Sequence, residues 1–186
     1  MWANTGAQRH PSRFYGKALN MAVLISIPIL GALLILQTVV VSNIPLLNGT
    51  ADLVLLAVIA WALHKRVQTA WQWGIIGGLF VAMVSGVPFY VPIIGMLAAV
   101  GIALLLRQRV WQVPILAMFI ATFISTLLMH ALTIVALQIS GVSTPILQGL
   151  NLITLPSVLL NILLAVPLYV LLGELANVLY PEELEA

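Results

Sequence analysis

The residue of this sequence best suited to proton chemistry is His130, the one acidic or basic side chain deep within a long apolar stretch. An imidazole titrates near neutral pH, and ionisable groups at membrane depth are functional candidates by default. The apolar stretches contain no acidic residue that would relay a proton to it. We therefore expect a neutral His130 hydrogen-bonded to a neighbouring Thr or Asn, with proton transfer as the alternative.

Two polar stripes run along the same part of the chain. The first recurs at spacings of three and four in residues 113–139, and the second follows in the next apolar stretch, so each lies on one face of a helix. Polar groups without partners are costly in hydrocarbon, and we expect the stripes to face each other or a cavity. The stripes are Thr122, Ser125, Thr126, His130 and Thr133, and Asn151, Thr154, Ser157 and Asn161.

Enzymatic chemistry is not favoured by the remaining polar residues. A hydrolase would need Ser85 and His130 together with an orienting group, yet Ser85 lies near the end of its apolar stretch and no G-x-S-x-G pattern surrounds it. The apolar stretches lack the carboxylates that hold divalent ions, and the chain has no Cys for thiolate or iron–sulfur chemistry. We expect no enzyme, no metal site and no cofactor.

The elements that position these residues must be transmembrane helices. Hydrophobic residues make up 62% of the 186 residues and charged ones 6%, too few to cover a water-soluble globule. A crossing needs about 20 apolar residues, so the chain length suits six. We predict an all-α, polytopic bundle with crossings near residues 18–41, 51–64, 71–84, 90–106, 113–139 and 149–173. This divides the chain into a cytoplasmic N-terminal segment, a six-helix transmembrane domain and an acidic cytoplasmic tail, at residues 1–17, 18–173 and 174–186.

The distribution of charge predicts the orientation of the bundle. Every Lys and Arg lies in the N-terminal segment, between the second and third helices, or between the fourth and fifth. The positive-inside rule then places both termini in the cytoplasm. Seven basic residues against five acidic ones are too small an excess to indicate nucleic acid. Indoles beside these basic stretches should meet the lipid headgroups, namely Trp61, Trp71, Trp73 and Trp111.

A pattern of small residues indicates close helix packing. Such residues recur every four positions in the third and fourth helices, and they let helix backbones approach closely within a membrane. We expect these two helices to form a tight hairpin, and we favour internal packing over a docking face for a partner. The stripes are Gly74, Gly78, Ala82 and Gly86, and Gly95, Ala99 and Ala103.

The predicted outer turns contain two prolines. Pro45 and Pro88 follow the first and third helices, which they cannot continue because Pro has no backbone N–H. Thr50 and Asp52 lie at the outer start of the second helix, where capping of free N–H groups explains both. We hypothesise that the turns around Pro45 and Pro88 meet the juxtamembrane segment of a partner.

Several short motifs lie between residue 36 and about residue 100. They are Leu36-Gln37-Thr38, Pro45, Asp52-Leu53-Val54-Leu55-Leu56, Gly74, Gly78-Leu79 and Ser85-Gly86. Together they resemble the bacterial rod shape-determining protein family MreD. In that family a helix ends with Leu-Gln-Thr, a Pro-Asp-Leu-Leu-Leu run opens the next, and Gly-Leu-x-x-Asp-x-x-Ser-Gly closes the third. Here Ala51 replaces the expected Pro and Ala82 replaces the acidic residue.

The resemblance implies a non-enzymatic scaffold of the cell-elongation machinery in the bacterial inner membrane. It would bind the single-span, coiled-coil protein MreC and, through it, peptidoglycan synthases and cytoskeletal MreB. The MreD fold is also similar to the substrate-binding subunits of energy-coupling-factor transporters, so a subunit that binds a vitamin or another small molecule is the alternative. Short, apolar outer loops favour the scaffold. Candidate partner contacts are Pro45, Asp52, Gly74, Gly78, Ala82, Gly86 and Pro88.

Overall fold

The structure is a computed structural model that describes residues 11–39, 49–109, 113–142 and 150–180. Within these ranges the chain forms six α-helices and one π-helical turn, and it contains no strand. The predicted all-α class is therefore confirmed. The elements are α1 (Pro11–Val39), α2 (Leu53–Leu63), α3 (Ala70–Val84), α4 (Tyr90–Arg109), α5 (Pro114–Ile139), the π-helical turn (Leu150–Thr154) and α6 (Leu155–Leu179).

Four segments of the described chain are long and apolar enough to cross a membrane. They are Leu19–Val39, Tyr90–Arg109, Pro114–Ile139 and Leu152–Leu179. By contrast, α2 has 11 residues and α3 has 15, fewer than the about 20 that one crossing needs. The chain is a multi-pass helical bundle with two short helices.

The short helix α2 lies at the centre of the bundle. Its sequence is apolar on every side, which is typical of a helix without a water-facing surface. All 11 of its residues are buried. The helices α1, α3, α4, α5 and α6 pack around it. An isolated helix of this length is marginal in water, so packing stabilises it.

Hydrogen bonds gather several helix ends at one end of the bundle. Trp73 Nε1, in the first turn of α3, donates to a carbonyl of α1 over 3.0 Å. Arg66 Nη1, between α2 and α3, donates to the carbonyl of Tyr180 after α6 over 3.3 Å. Arg107 Nη1, in the last turn of α4, donates to the carbonyl of His64 over 3.0 Å. We call this end the basic end, after Lys65, Arg66, Arg107 and Arg109, and the opposite end, with residues 85–89, the far end.

Two of the tryptophans expected at the membrane surface lie in the core. The rings of Trp61 and Trp73 stack with centroids 4.3 Å apart and are fully buried. Trp61 Nε1 donates to Thr69 Oγ1 over 3.1 Å, so each indole N–H has a partner inside the protein. The prediction that these two indoles face headgroups is therefore wrong. Trp71 is exposed, whereas Trp111 lies outside the described residues.

Both terminal helices are longer than the sequence pattern indicates. Helix α1 begins at Pro11, inside the predicted N-terminal segment, and Pro is favoured at the first helical position. Helix α6 continues to Leu179, past the predicted boundary at residue 174, and Glu174 is an exposed residue of this helix. Residues 1–10 and 181–186 lie outside the described ranges.

Candidate functional site

Residues 49–52 precede α2 and are not helical; Gly49 and Ala51 are buried, Asp52 is half-buried and Thr50 is exposed. The following helix, α2, reaches the basic end after 11 residues, a rise of about 16 Å. With the basic end at one membrane surface, this rise covers roughly half of the hydrocarbon core of a bilayer, which is about 30 Å thick. Irregular backbone is tolerated at that depth only where it is buried in protein or lines a cavity, because its N–H and C=O groups need partners.

Side chains of α6 supply partners for segment 49–52. The N–H of Thr50 donates to Ser157 Oγ over 3.0 Å, and the N–H of Asp52 donates to Asn161 Oδ1 over 2.8 Å. Gly49 packs directly on α6, where a Cβ would lie 2.7 Å from the backbone nitrogen of Ser157. Helix α6 therefore replaces the hydrogen bonds that a regular helix would have given this segment.

Two side chains cap the N-terminus of α2. Asp52 Oδ1 accepts the N–H of Leu55 over 2.9 Å, so the predicted capping role of Asp52 is confirmed. Gln37 Oε1, from α1, accepts the N–H of Val54 over 3.3 Å. The residue types did not indicate this second cap, and its only sequence signal is the place of Gln37 in the Leu-Gln-Thr motif. Thr50 contributes its backbone N–H and not the predicted cap.

The polar stripes of α5 and α6 face each other, as predicted. Asn161 Nδ2 donates to Thr126 Oγ1 over 3.0 Å, and His130 Nδ1 lies 3.0 Å from Thr154 Oγ1. The predicted Thr partner of His130 is therefore confirmed. Through Asn161 the stripes are joined to segment 49–52. We call this set the central polar cluster, and it comprises Thr126, His130, Thr154, Ser157, Asn161 and residues 49–52.

Other members of the predicted stripes lie beside this cluster. Thr122 and Ser125 are buried, and their hydroxyl oxygens have no hydrogen-bond partner among the described residues. Thr122 precedes Thr126 by one helical turn, on the side of the basic end. Asn151 belongs to the π-helical turn, and its side chain lies outside the described part of the chain.

Asp52 lies deeper than its sequence position suggested. The sequence pattern placed it at the outer start of a crossing, whereas its N–H bonds to Asn161, which in turn bonds to Thr126 near the middle of α5. The reason is that residues 49–52 are not helical, so α2 begins only at Leu53 and its N-terminus lies against α6. The expectation that the interior holds no acidic group therefore fails at Asp52.

The hydrogen bonds of Ser85 and His130 are typical of side chains that support the fold. Ser85 Oγ accepts the N–H of Val87 over 3.4 Å in the turn after α3, whereas His130 bonds to Thr154. These two candidate catalytic groups thus have separate partners. Within the described ranges no three His, Asp or Glu residues form a group that could hold a metal ion. The central polar cluster holds irregular backbone within an apolar bundle.

The small-residue stripe of α3 lies against α4. A Cβ on Gly78 would lie 2.8 Å from Ile93 Cα, and one on Gly74 would lie 2.8 Å from Val100 Cγ2. Ala82 on the same stripe is buried. The tight hairpin predicted for these helices is confirmed. Internal packing, the interpretation favoured from sequence, occupies this face.

Of the other residues predicted to contact a partner, those that the structure describes lie outside the packed face between α3 and α4. Gly77, which the four-residue pattern missed, packs α3 on α2, with Val58 Cγ2 3.1 Å from where its Cβ would lie. Gly86 is exposed at the far end, and no heavy atom lies within 4 Å of its Cβ position. Pro88 is half-buried in the same turn, and Pro45 lies outside the described residues. Gly86 therefore has the open surroundings that a partner contact requires.

Comparisons with protein-family models, with curated proteins and with solved structures find no match to this chain. The resemblance to MreD and the similarity to energy-coupling-factor subunits therefore stay predictions from the motifs. The structure shows a multi-pass helical bundle in which Ser157 and Asn161 of α6 bond to the backbone of the non-helical segment 49–52.

Proposed function

We propose that this chain is a non-enzymatic scaffold subunit of the MreD kind, which binds an MreC-like single-span protein in the bacterial inner membrane. Through that partner it contacts the peptidoglycan synthase complex and MreB and helps control cell shape. The proposal includes six membrane crossings, two of them completed by the short helices α2 and α3, and it places both termini in the cytoplasm.

The observation that carries the proposal is the meeting of two motifs at one helix terminus. Gln37 belongs to the first motif and Asp52 to the second, and both accept hydrogen bonds from the first N–H groups of α2. Gly78, from the third motif, packs α3 on α4. Agreement between the motifs and the three-dimensional contacts supports a shared architecture more strongly than any single motif does.

The charge distribution supports the proposed orientation. Lys65, Arg66, Arg107 and Arg109 lie at the basic end, and the far-end residues 85–89 contain no Lys or Arg. The positive-inside rule assigns such a basic end to the cytoplasm. Helix α2 rises only about 16 Å, so in the proposed topology it completes a crossing together with the non-helical residues 49–52.

The internal hydrogen bonds favour a scaffold over a ligand-binding subunit. Ser157 and Asn161 direct their oxygen atoms at the backbone of segment 49–52, and Thr126 bonds to Asn161. A capture site needs a few polar groups that converge on a cavity. In the central polar cluster the protein itself satisfies these groups.

We place the partner contact at the far-end turn, residues 85–88. Gly86 is exposed there and leaves open space around its backbone, which permits close approach of another chain. Gly74 and Gly78 are covered by α4. The contact therefore uses the turn and not the small-residue stripe itself.

The proposal is tested by co-expression with a tagged MreC-like protein of the same host, detergent extraction and native mass spectrometry. We expect a stable complex without a stoichiometric small molecule. Failure of the tagged partner to retain the chain at matched membrane levels would overturn the scaffold. Free protein that carries a stoichiometric vitamin would assign a transporter subunit instead.

Paired variants test the location of the contact. Gly86→Trp fills the open space at the far-end turn and should reduce capture by the tagged partner. Leu105→Trp is the matched control, because Leu105 is 65% exposed on α4 toward the basic end, and it should leave capture unchanged. Capture of both variants at the wild-type level would remove the turn from the interface.

A further inference from the structure

A cavity of about 210 Å³ lies at the basic end, between the α2–α3 connection and helices α4, α5 and α6. Among the described residues, its lining combines nitrogen donors with apolar and aromatic surface. Arg and Lys side chains both bind phosphate, and the guanidinium of Arg matches its oxygen atoms in pairs. The lining includes His64, Lys65, Arg107, Leu63, Ala117 and Tyr169.

Arg107 is anchored by the helix end that it caps. Its Nη1 donates to the carbonyls of Ala62, His64 and Val67 over 3.3, 3.0 and 3.1 Å. The carbonyls of Ala62 and His64 lie at the C-terminus of α2, where a cation is favoured by the helix dipole, and that of Val67 lies in the α2–α3 connection. The Nε and Nη2 atoms make no hydrogen bond to the described residues. They form a planar donor pair that matches two phosphate oxygens.

His64 is held in place by Tyr169. The two rings stack with centroids 4.6 Å apart, and His64 Nε2 lies 3.2 Å from the carbonyl oxygen of Tyr169. Burial lowers the pKa of His64 from its ordinary 6.5, and the bond to the Tyr169 carbonyl opposes this effect. His64 is therefore neutral at neutral pH. The positive charge of the cavity comes from Arg107 and from the exposed Lys65.

The cavity is small for an organic ligand. Pockets for drug-sized molecules have volumes of about 300–1,000 Å³, above the value of about 210 Å³ found here. A volume of this size accommodates one phosphate group with a short polyol.

The surroundings of the cavity indicate a lipid as the source of the phosphate. Val113 and the first three residues of α5, Pro114, Ile115 and Leu116, lie at the basic end, and all four are apolar and exposed. Pro114 in the same turn lines the cavity. An acyl chain along this turn would bring its headgroup phosphate to the cavity, as in basic pockets between transmembrane helices that bind anionic lipids.

We propose that this cavity binds the phosphate of an anionic phospholipid, with Arg107 as the anchored donor pair and Lys65 as the second positive charge. In the proposed orientation the lipid belongs to the cytoplasmic leaflet. The site requires membrane insertion but no partner protein, so the lipid proposal can be tested independently of the scaffold proposal.

Native mass spectrometry of the purified full chain tests the proposal, with phosphatidylglycerol, phosphatidylcholine and inorganic phosphate added separately. We expect one retained phosphatidylglycerol and little retained phosphatidylcholine. Lys65→Gln should weaken retention about fivefold, the contribution of one Lys near an anionic lipid. Arg109→Gln removes the same charge at the same end, outside the lining, and should change retention by less than about twofold because distant exposed charges are screened.

Three results would overturn the proposal. Equal losses in Lys65→Gln and Arg109→Gln would indicate attraction to the surface charge and not a site. Equal retention of the two phospholipids would show that the cavity does not distinguish an anionic headgroup from a zwitterionic one. If inorganic phosphate binds and excludes phosphatidylglycerol, the cavity is a site for a soluble phosphate compound and not for a lipid.

Discussion

Replacing Asn161 tests the central polar cluster most directly. Its Oδ1 accepts the N–H of Asp52 over 2.8 Å, and its Nδ2 donates to Thr126 Oγ1 over 3.0 Å. The side chain is 1% exposed. Asn161→Leu keeps the branching of the side chain at Cγ, enlarges the side chain and removes both hydrogen bonds, so any overpacking adds to the loss. The N–H of Asp52 then has no acceptor from α6.

Two contributions set the size of the effect. A buried donor left without a partner costs about 1–3 kcal/mol. A hydrogen bond between helices in a membrane contributes about 0.6 kcal/mol on average and about 1.7 kcal/mol at most. We therefore expect Asn161→Leu to lower the free energy of unfolding by about 2–4 kcal/mol.

The assay is equilibrium unfolding in mixed micelles of a mild detergent and sodium dodecyl sulfate, followed by the fluorescence of the buried Trp61 and Trp73 pair. Asn177→Leu is the matched control, because Asn177 is an exposed residue of the same helix. The control should change the free energy by less than about 0.5 kcal/mol. A double-mutant cycle with Thr126→Val should give a coupling of at least about 0.5 kcal/mol.

Equal stability of Asn161→Leu and Asn177→Leu would contradict the role of Asn161. The hydrogen bonds from α6 would then contribute nothing to the position of segment 49–52. A coupling of zero between Asn161 and Thr126, with Asn161→Leu still destabilised, would restrict the contribution to the bond with Asp52.

Gly78→Leu should lower the unfolding temperature in detergent, because its Cβ would lie 2.8 Å from Ile93 Cα and overpacking costs about 1–3 kcal/mol. Gly86→Leu should leave that temperature unchanged, since no heavy atom lies within 4 Å of its Cβ position, and equal losses would contradict this distinction. The pKa of His64 is lowered in the folded chain, so the unfolded chain binds more protons and stability should fall as the pH drops below 6.5. His64→Gln should flatten this part of a plot of unfolding temperature against pH, and an unchanged slope would assign the effect to other groups.

Features that depend on local spacing could be predicted from the sequence. The four-residue recurrence of Gly74 and Gly78 indicated the close packing of α3 on α4, because helix periodicity places these positions on one face. The spacing of Thr126 and His130 likewise indicated a polar face directed at α6. In both cases the pattern and the packing partner lie on consecutive elements of the described chain.

Features that depend on distant residues could not be predicted in this way. The depth of Asp52 follows from its bond to Asn161, which is 109 positions away in the sequence. Trp61 and Trp73 stand beside basic residues, a pattern typical of headgroup contact, yet they stack on each other in the core. The capping role of Gln37 depends on the packing of α1 beside the N-terminus of α2, which the spacing of the sequence does not indicate.

Helix α2 connects the central polar cluster with the basic-end cavity. A helix leaves its terminal N–H and C=O groups without partners, and here Asp52 and Gln37 bond at one end while Arg107 bonds at the other. The two ends are about 16 Å apart, beyond the roughly 7–10 Å over which mutational effects usually couple. Phosphatidylglycerol bound at Arg107 should therefore raise the unfolding temperature of the wild type and of Asn161→Leu by the same amount. A smaller rise in the variant would show that α2 transmits the loss of its N-terminal support to the lipid site.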